Sequence, residues 1–244
     1  MSRHSKWAKI KRQKNVTDVK RGQLFSKLSR AITAAAREGS GDPDTNPRLR
    51  LAADRALAAN MPKDNVTRAI ERAAGADSAS AATFTLEGYG PGGGALLIDV
   101  VTDNRNRTVS EVRHLLDRAG GSLGESGSVA WQFERRGLVV VENASQPERV
   151  ELAAIDAGAI DIEREKNTLD ISTPPENMQD ISRAVERAGA QPASVQLTMM
   201  PKQWVTLAPD RMEKLGDLLA ELEAHDDVIE VTTNATPPES DEAS

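Results

Sequence analysis

The sequence predicts an α+β protein of three domains: an N-terminal three-helix domain, a discontinuous α/β domain, and a ferredoxin-like βαββαβ domain inserted in it. Three observations carry this. Apolar stripes of helical period run through residues 17–75, strands alternate with helices after them, and residues 137–200 run strand–helix–strand–strand–helix–strand.

The chain opens with a polar, basic arm, residues 1–16. From Thr17 the spacing of Leu24, Leu28, Ala31 and Ala35 predicts a helix, broken at Gly39, Gly41 and Pro43. Asn46-Pro47 offers an N-cap followed by proline at the first helical position, and Leu49, Ala52, Ala53, Ala56 and Leu57 form the stripe behind it. Asn60-Met61-Pro62 ends that helix and opens a third through Val66, Ala69, Ile70 and Ala73. The helical domain therefore covers 17–75, and small residues at 76–82 read as a linker.

The discontinuous domain is expected over 83–134 and 203–234. Thr83–Leu86 and Ala95–Val101 are strands about a glycine-rich turn. Thr108-Val109-Ser110-Glu111 reads as a capping box, and Val109, Val112, Leu115, Leu116 and Ala119 give its helix a buried stripe. Ser128–Phe133 reads as a further strand. In the insert the strands are Leu138–Val141, Ile160–Glu163, Thr168–Ile171 and Val195–Met199. Its helices carry Val150, Ala153, Ala154 and Ala157, then Met178, Ile181, Val185 and Ala188. A last helix (Met212, Leu215, Leu218, Leu219, Leu222) and strand (Val228–Thr232) cannot form a domain alone and return to the sheet of 83–134. Residues 235–244 are an acidic tail.

Cysteine is absent, which excludes disulfides and thiolate sites and fits a reducing cytoplasm. No apolar run is long enough to span a bilayer, and the basic N-terminus has no apolar segment behind it, so neither membrane nor secretion is expected. The net charge of −6 conceals a strong asymmetry. Residues 1–75 hold 17 basic and 7 acidic residues, the remainder 14 and 30; within 1–37, eleven basic residues face one acid, Asp18. Such segregation points to a polyanion met by the N-terminal end.

The arm sets Arg3, His4, Lys6, Lys9, Lys11, Arg12 and Lys14 around one aromatic, Trp7. Cations neutralise phosphates, and an indole stacks on unpaired bases. Lys20, Arg21, Lys27 and Arg30 continue the charge into the first helix. A second candidate is Asn104, Arg105, Asn106 and Arg107, between a strand end and a helix start. Two arginines and two amides there could hold phosphate; equally, they could turn the chain and pair with local acids.

Other motifs carry less. The second and third helices could be named helix-turn-helix, but Asp54, Asp64 and Glu71 interrupt their basic residues. Gly88, Gly90 and Gly93 satisfy G-x-G-x-x-G yet lead into a strand rather than a helix, so no nucleotide site is expected. A tight turn is the default there, with Tyr89 as an exposed contact. His4, His114 and His225 lie far apart, Asp226-Asp227 reads as a turn, and no nucleophile elbow is present. No catalytic residue, metal or cofactor is expected.

Several stretches together resemble the YebC/PmpR family: His4-Ser5-Lys6-Trp7, Lys20-Arg21-Gly22, Asp42-Pro43 with Asn46-Pro47-Arg48-Leu49-Arg50, and Asn60-Met61-Pro62-Lys63-Asp64. So do Glu87–Gly93, Thr102–Thr108 with Val112-Arg113-His114, and Gly127-Ser128-Val129, in register through Asp226-Asp227-Val228. Departures are Arg3 in place of a glycine, Gln23 in place of a lysine, and Thr232 in place of an aromatic. The resemblance implies three domains, the middle one discontinuous. It also implies a non-enzymatic regulator of gene expression: a transcriptional regulator that binds promoter DNA, or a ribosome-associated factor that binds ribosomal or transfer RNA and eases synthesis through proline-rich stretches. The arm suits irregular RNA with unstacked bases, while no clean major-groove element is visible. A cytoplasmic monomer is the expectation.

Overall fold

The structure is a computed structural model that describes residues 18–73 and 81–238, with side chains from residue 21. The basic arm, the linker at 76–80 and the tail beyond Pro238 lie outside the described residues. These divide into two compact units, one of residues 134–200 and the other of 18–133 with 201–238.

The larger unit begins with α1 (Asp18–Glu38), α2 (Pro47–Ala58) and α3 (Lys63–Ala73). Leu28, Ile32, Leu49, Ala56, Val66 and Ala69 meet along one face of each helix and are buried. Asn46 closes the α1–α2 turn from both ends. Its Oδ1 accepts from Leu49 N (3.1 Å), and its Nδ2 donates to Ala35 O (2.9 Å) and Ser40 O (2.7 Å).

Its sheet is formed by β1 (Ala82–Tyr89), β2 (Ala95–Thr102), β3 (Ser122–Leu123) and, far along the chain, β9 (Val228–Thr233), in the order β3-β1-β2-β9. Strand β2 is buried at seven of its eight positions, as expected of a largely apolar strand covered on both faces, with Asp99 the one half-buried position. One face carries α4 (Arg105–Arg118) and α7 (Pro209–Ala224), packed through Val112, Leu116, Leu215, Leu218 and Leu222 against Leu96, Ile98 and Val100. Val101 and Ile229 join the core of the three helices instead, so helices and sheet share one interior.

The smaller unit contains most of β4 (Phe133–Glu142), then α5 (Pro147–Asp156), β5 (Asp161–Glu165), β6 (Thr168–Thr173), α6 (Met178–Arg187) and nearly all of β7 (Pro192–Pro201). The strand order β5-β6-β4-β7 is that of the split βαβ plan, with Val139, Val141, Ile171, Val150, Ile181 and Val185 between sheet and helices.

Two boundaries depart from expectation. Helix α4 starts at Arg105 and not at the Thr108 capping box: Asn104 is the N-cap, its side chain accepting from Arg107 N at 3.1 Å, and Thr108 is wholly buried. Ser128–Phe133 is not a strand; a turn leads into a short 3-10 helix at Ala130–Gln132, and β4 begins only at Phe133. A parallel pair, β8 (Val205–Thr206) with β10 (Ala235–Thr236), is additional.

Candidate nucleic-acid interface

Of the residues expected to touch nucleic acid, Arg3, His4, Lys6, Trp7, Lys9, Lys11, Arg12 and Lys14 lie outside the described residues. Lys20 is described only as part of α1, and Arg21 is exposed on its first turn.

Three of the four remaining cations, Lys27, Arg30 and Arg107, are hydrogen-bonded within the larger unit. Lys27 is buried, and its Nζ donates to Glu223 O (2.9 Å) and His225 O (2.7 Å), capping the carbonyl end of α7. Burial lowers the Lys27 pKa, an effect that Asp226 and Glu223 oppose. An ammonium so placed faces the interior, not a polyanion. Arg30 donates through Nη2 to Val101 O and to Asp227 Oδ1, each at 3.0 Å. Arg107, from the second candidate loop, donates to Asp227 Oδ2 at 2.9 Å and to Asp103 Oδ1 at 3.0 Å.

Asp227 thus gathers residues from three parts of the chain. Besides both arginines it accepts from Thr108 Oγ1 at 2.7 Å, and Thr108 in turn contacts Thr102 Oγ1 at 2.8 Å. Burial alone would raise the Asp227 pKa. The hydrogen bonds from Thr108, Arg107, Arg30 and Thr102 outweigh it and hold the carboxyl well below the usual range. The sequence reading placed Asp227 in a turn; its role as an anchor rests on partners more than a hundred residues away, and no local signal marks it.

Within the second candidate loop, then, Asn104 is a helix cap and Arg107 an internal strut. Arg105 lies with its guanidinium carbon 4.0 Å from the Phe84 ring centroid, and Asn106 is exposed. Asn104 turns the chain and Arg107 pairs with the local acid Asp103, but its other carboxylate, Asp227, is remote in sequence.

Beside this anchor lies an open cleft of about 920 Å³, lined in part by Arg30, Arg107, His114, Glu111, His225 and Asp226. Its charges alternate in sign, which makes it a poor seat for a phosphate backbone. Glu111, His225 and Asp227 bring potential metal-ligand atoms within 4.8 Å of one another. The hydrogen bonding argues against a metal. Asp227 N donates to His225 Nδ1 (3.1 Å), so the ring proton sits on Nε2, where it faces Glu111 Oε2 at 2.9 Å. Both Asp227 oxygens already accept from cations.

The helix pair α2–α3 is similarly occupied. Arg55 bridges Asp99 Oδ2 (2.8 Å) and Glu230, pinning α2 to the sheet. Burial works against its charge, yet the two carboxylates raise its pKa. Arg50 pairs with Asp44 (3.1 Å), and Arg48 with Glu38.

A different loop is built with more care than the sequence suggested. Glu87 of β1 is buried, and its carboxylate accepts from the amides of Gly127 (2.7 Å), Val129 (2.7 Å) and Ala130 (2.8 Å). Burial raises its pKa, but those three amides outweigh it and lower the pKa overall. Gly127 has φ +88°, a conformation that a side chain would strain. Tyr89, expected as an exposed contact, is half-buried and donates its hydroxyl to Ser128 O at 3.2 Å.

Comparison with known proteins agrees with this architecture. The TACO1/YebC protein N-terminal domain matches residues 5–76, and the TACO1/YebC second and third domain matches residues 81–235. The chain belongs to the TACO1/YebC family. Among relatives, a probable transcriptional regulatory protein of Thermomicrobium roseum is 48% identical, over 98% of this chain and 97% of its own. One of the same description from Thermoanaerobacter pseudethanolicus is 45% identical over 96% of both. The crystal structure of a conserved hypothetical protein, Aq1575 from Aquifex aeolicus, superposes with a TM-score of 0.74 at 39% identity, over 93% of this chain and 95% of that one. The α+β plan is therefore that of a TACO1/YebC protein. No helix among its described residues is long and apolar enough to cross a membrane.

Proposed function

We propose that this TACO1/YebC protein is a non-enzymatic regulator of gene expression that binds nucleic acid through its N-terminal end, acting in the cytoplasm as a monomer. The observation that carries the reading is how the positive charge is distributed along the sequence. Lys27, Arg30, Arg55 and Arg107 are engaged by carbonyls and carboxylates of the protein itself, while the densest run of cations in the sequence is at its N-terminal end, in Arg3, Lys6, Lys9, Lys11, Arg12 and Lys14, with Lys20 and Arg21 following. Phosphate neutralisation by such a cluster gives salt-sensitive binding, and the acidic remainder restricts it to one end. His4 and Trp7 lie within the cluster, and Arg105 and Asn106 are a secondary contact.

The relatives described as probable transcriptional regulatory proteins favour a role in transcription, for which promoter DNA is the proposed target. One structural observation favours a second target, ribosomal or transfer RNA in a translation factor that relieves stalling at proline-rich stretches. The arginines of α2 and α3 that a helix-turn-helix would need for base edges, Arg48, Arg50 and Arg55, are held in ion pairs. Crosslinking in living cells with sequencing of the attached nucleic acid separates the two. Recovery of discrete promoter fragments supports transcription; predominance of ribosomal or transfer RNA sinks it.

The arm itself is tested by replacing Lys6, Lys9, Lys11 and Arg12 with glutamine. Affinity for nucleic acid should fall, and the slope of log affinity against log salt should flatten by roughly 3, near 0.7–0.9 per cation removed. An unchanged affinity and slope would move the site off the arm.

A further inference from the structure

Trp131 is 67% exposed, the most exposed of the large hydrophobic side chains among the described residues. A lone exposed apolar residue ordinarily needs no explanation. This one is different because the chain around it is fixed on every side. Its indole Nε1 donates to Ser128 O at 3.1 Å, the same carbonyl that accepts from Tyr89. The residues before it are held by Glu87 through three amides. After it, Gln132 Oε1 accepts from Asn234 Nδ2 (2.9 Å), while Asn234 Oδ1 accepts from Ala95 N (2.8 Å).

With its only polar atom satisfied internally, the indole has nothing but its ring to offer. The other exposed large aliphatics of the described residues are Leu57, Leu152, Ile155 and Ile160, none of them in this loop. The exposed positions of the loop are Glu125, Ser126 and Gly127. A protein interface would centre such an anchor among further apolar groups. A single flat ring in polar surroundings suits a single flat partner. The following backbone is held as well, the Lys202 N donating to Gln132 O at 2.8 Å.

We infer that Trp131 is a stacking platform for an unpaired base of single-stranded nucleic acid. This rests on the nucleic-acid reading above and adds to it a second contact, separate in sequence from the arm and its run of cations. Stacking is tolerant of base identity and involves no counterion release.

The experiment uses the full chain carrying 5-fluorotryptophan, titrated with a short single-stranded RNA of mixed sequence and with the corresponding duplex. Affinity is read by anisotropy of the labelled RNA, and the Trp131 fluorine signal is assigned from Trp131→Phe. The single strand should shift the Trp131 resonance. Trp131→Ala should weaken single-strand binding roughly 5- to 150-fold, with an unchanged salt slope and with most of the affinity restored in Trp131→Phe. Duplex binding should not change. Single-strand binding that is equally tight in Trp131→Ala overturns the platform and leaves the arm reading intact. Binding of duplex alone overturns it too. A wild-type chain that binds neither form sinks both.

Discussion

Two loops of the same α/β unit, Thr102–Thr108 and Gly124–Gln132, make opposite use of their side chains. The first has arginines and amides at a helix start, the composition of an anion site, yet Asn104 caps α4, and Arg107 and Thr108 turn inward to Asp227. The second has a composition that promises little, yet a buried carboxylate holds its backbone and its one aromatic faces solvent. Charge density in a sequence locates cations. It does not tell which of them the fold has already paired, and at a surface it is the unpaired group that is available to a ligand.

The sharpest way to break this contrast is at Asp227. Asp227→Asn keeps the shape but leaves Arg30 and Arg107 facing a neutral amide, and should destabilise the fold by about 3 kcal/mol, the low end for a broken buried pair. The low end applies because the two arginine side chains keep 38% and 45% of their surface in water. Urea unfolding measures it. The pH dependence has a definite sign. The folded pKa of Asp227 lies below the unfolded value, near 4, so its contribution is complete above about pH 4 and is lost as pH falls below that value. The gap between wild type and variant should therefore begin to narrow as pH falls below about 4 and should not yet have closed at about pH 3; a gap that stays constant down to that pH would remove Asp227 from the anchor.

Glu87→Gln tests the other loop. One oxygen must then serve amides that two carboxylate oxygens served, and stability should fall by about 2 kcal/mol. Amide hydrogen exchange at Gly127, Val129 and Ala130 should accelerate with it. Unaltered exchange would mean the loop is held by something else.

The smallest effect belongs to Trp131→Ala, whose thermal midpoint should match wild type to within the equivalent of about 0.5 kcal/mol. A large loss would make Trp131 a packing residue and erase the difference between the loops.

Much of the architecture was legible because it is periodic. The stripe Leu24, Leu28, Ala31, Ala35 marks α1, and the alternation of strands and helices across 137–200 marks the insert. The two loops misled for identifiable reasons. Thr108-Val109-Ser110-Glu111 has the composition of a capping box, but an asparagine four residues earlier captures the helix start. Val129, Trp131 and Phe133 alternate like one face of a strand, whereas Val129 and Phe133 are buried on either side of a short 3-10 turn that directs Trp131 outward. Asp227 could not be foreseen at all. Its partners Arg30, Arg107 and Thr108 are brought to it only by the completed sheet, and local sequence does not encode that encounter.

The pairing of β2 with β9 also sets an order of events on the ribosome. Residues 18–133 emerge first, with Arg30, Arg55 and Arg107 already made, but their carboxylates Glu230 and Asp227 lie a hundred residues further on. In between, residues 134–200 form a unit with its own core and can fold while the first segment waits. The edge of β2 and three arginines thus stay without their partners on and beside β9 until residues 227–233 have been made, and only then can the larger unit close.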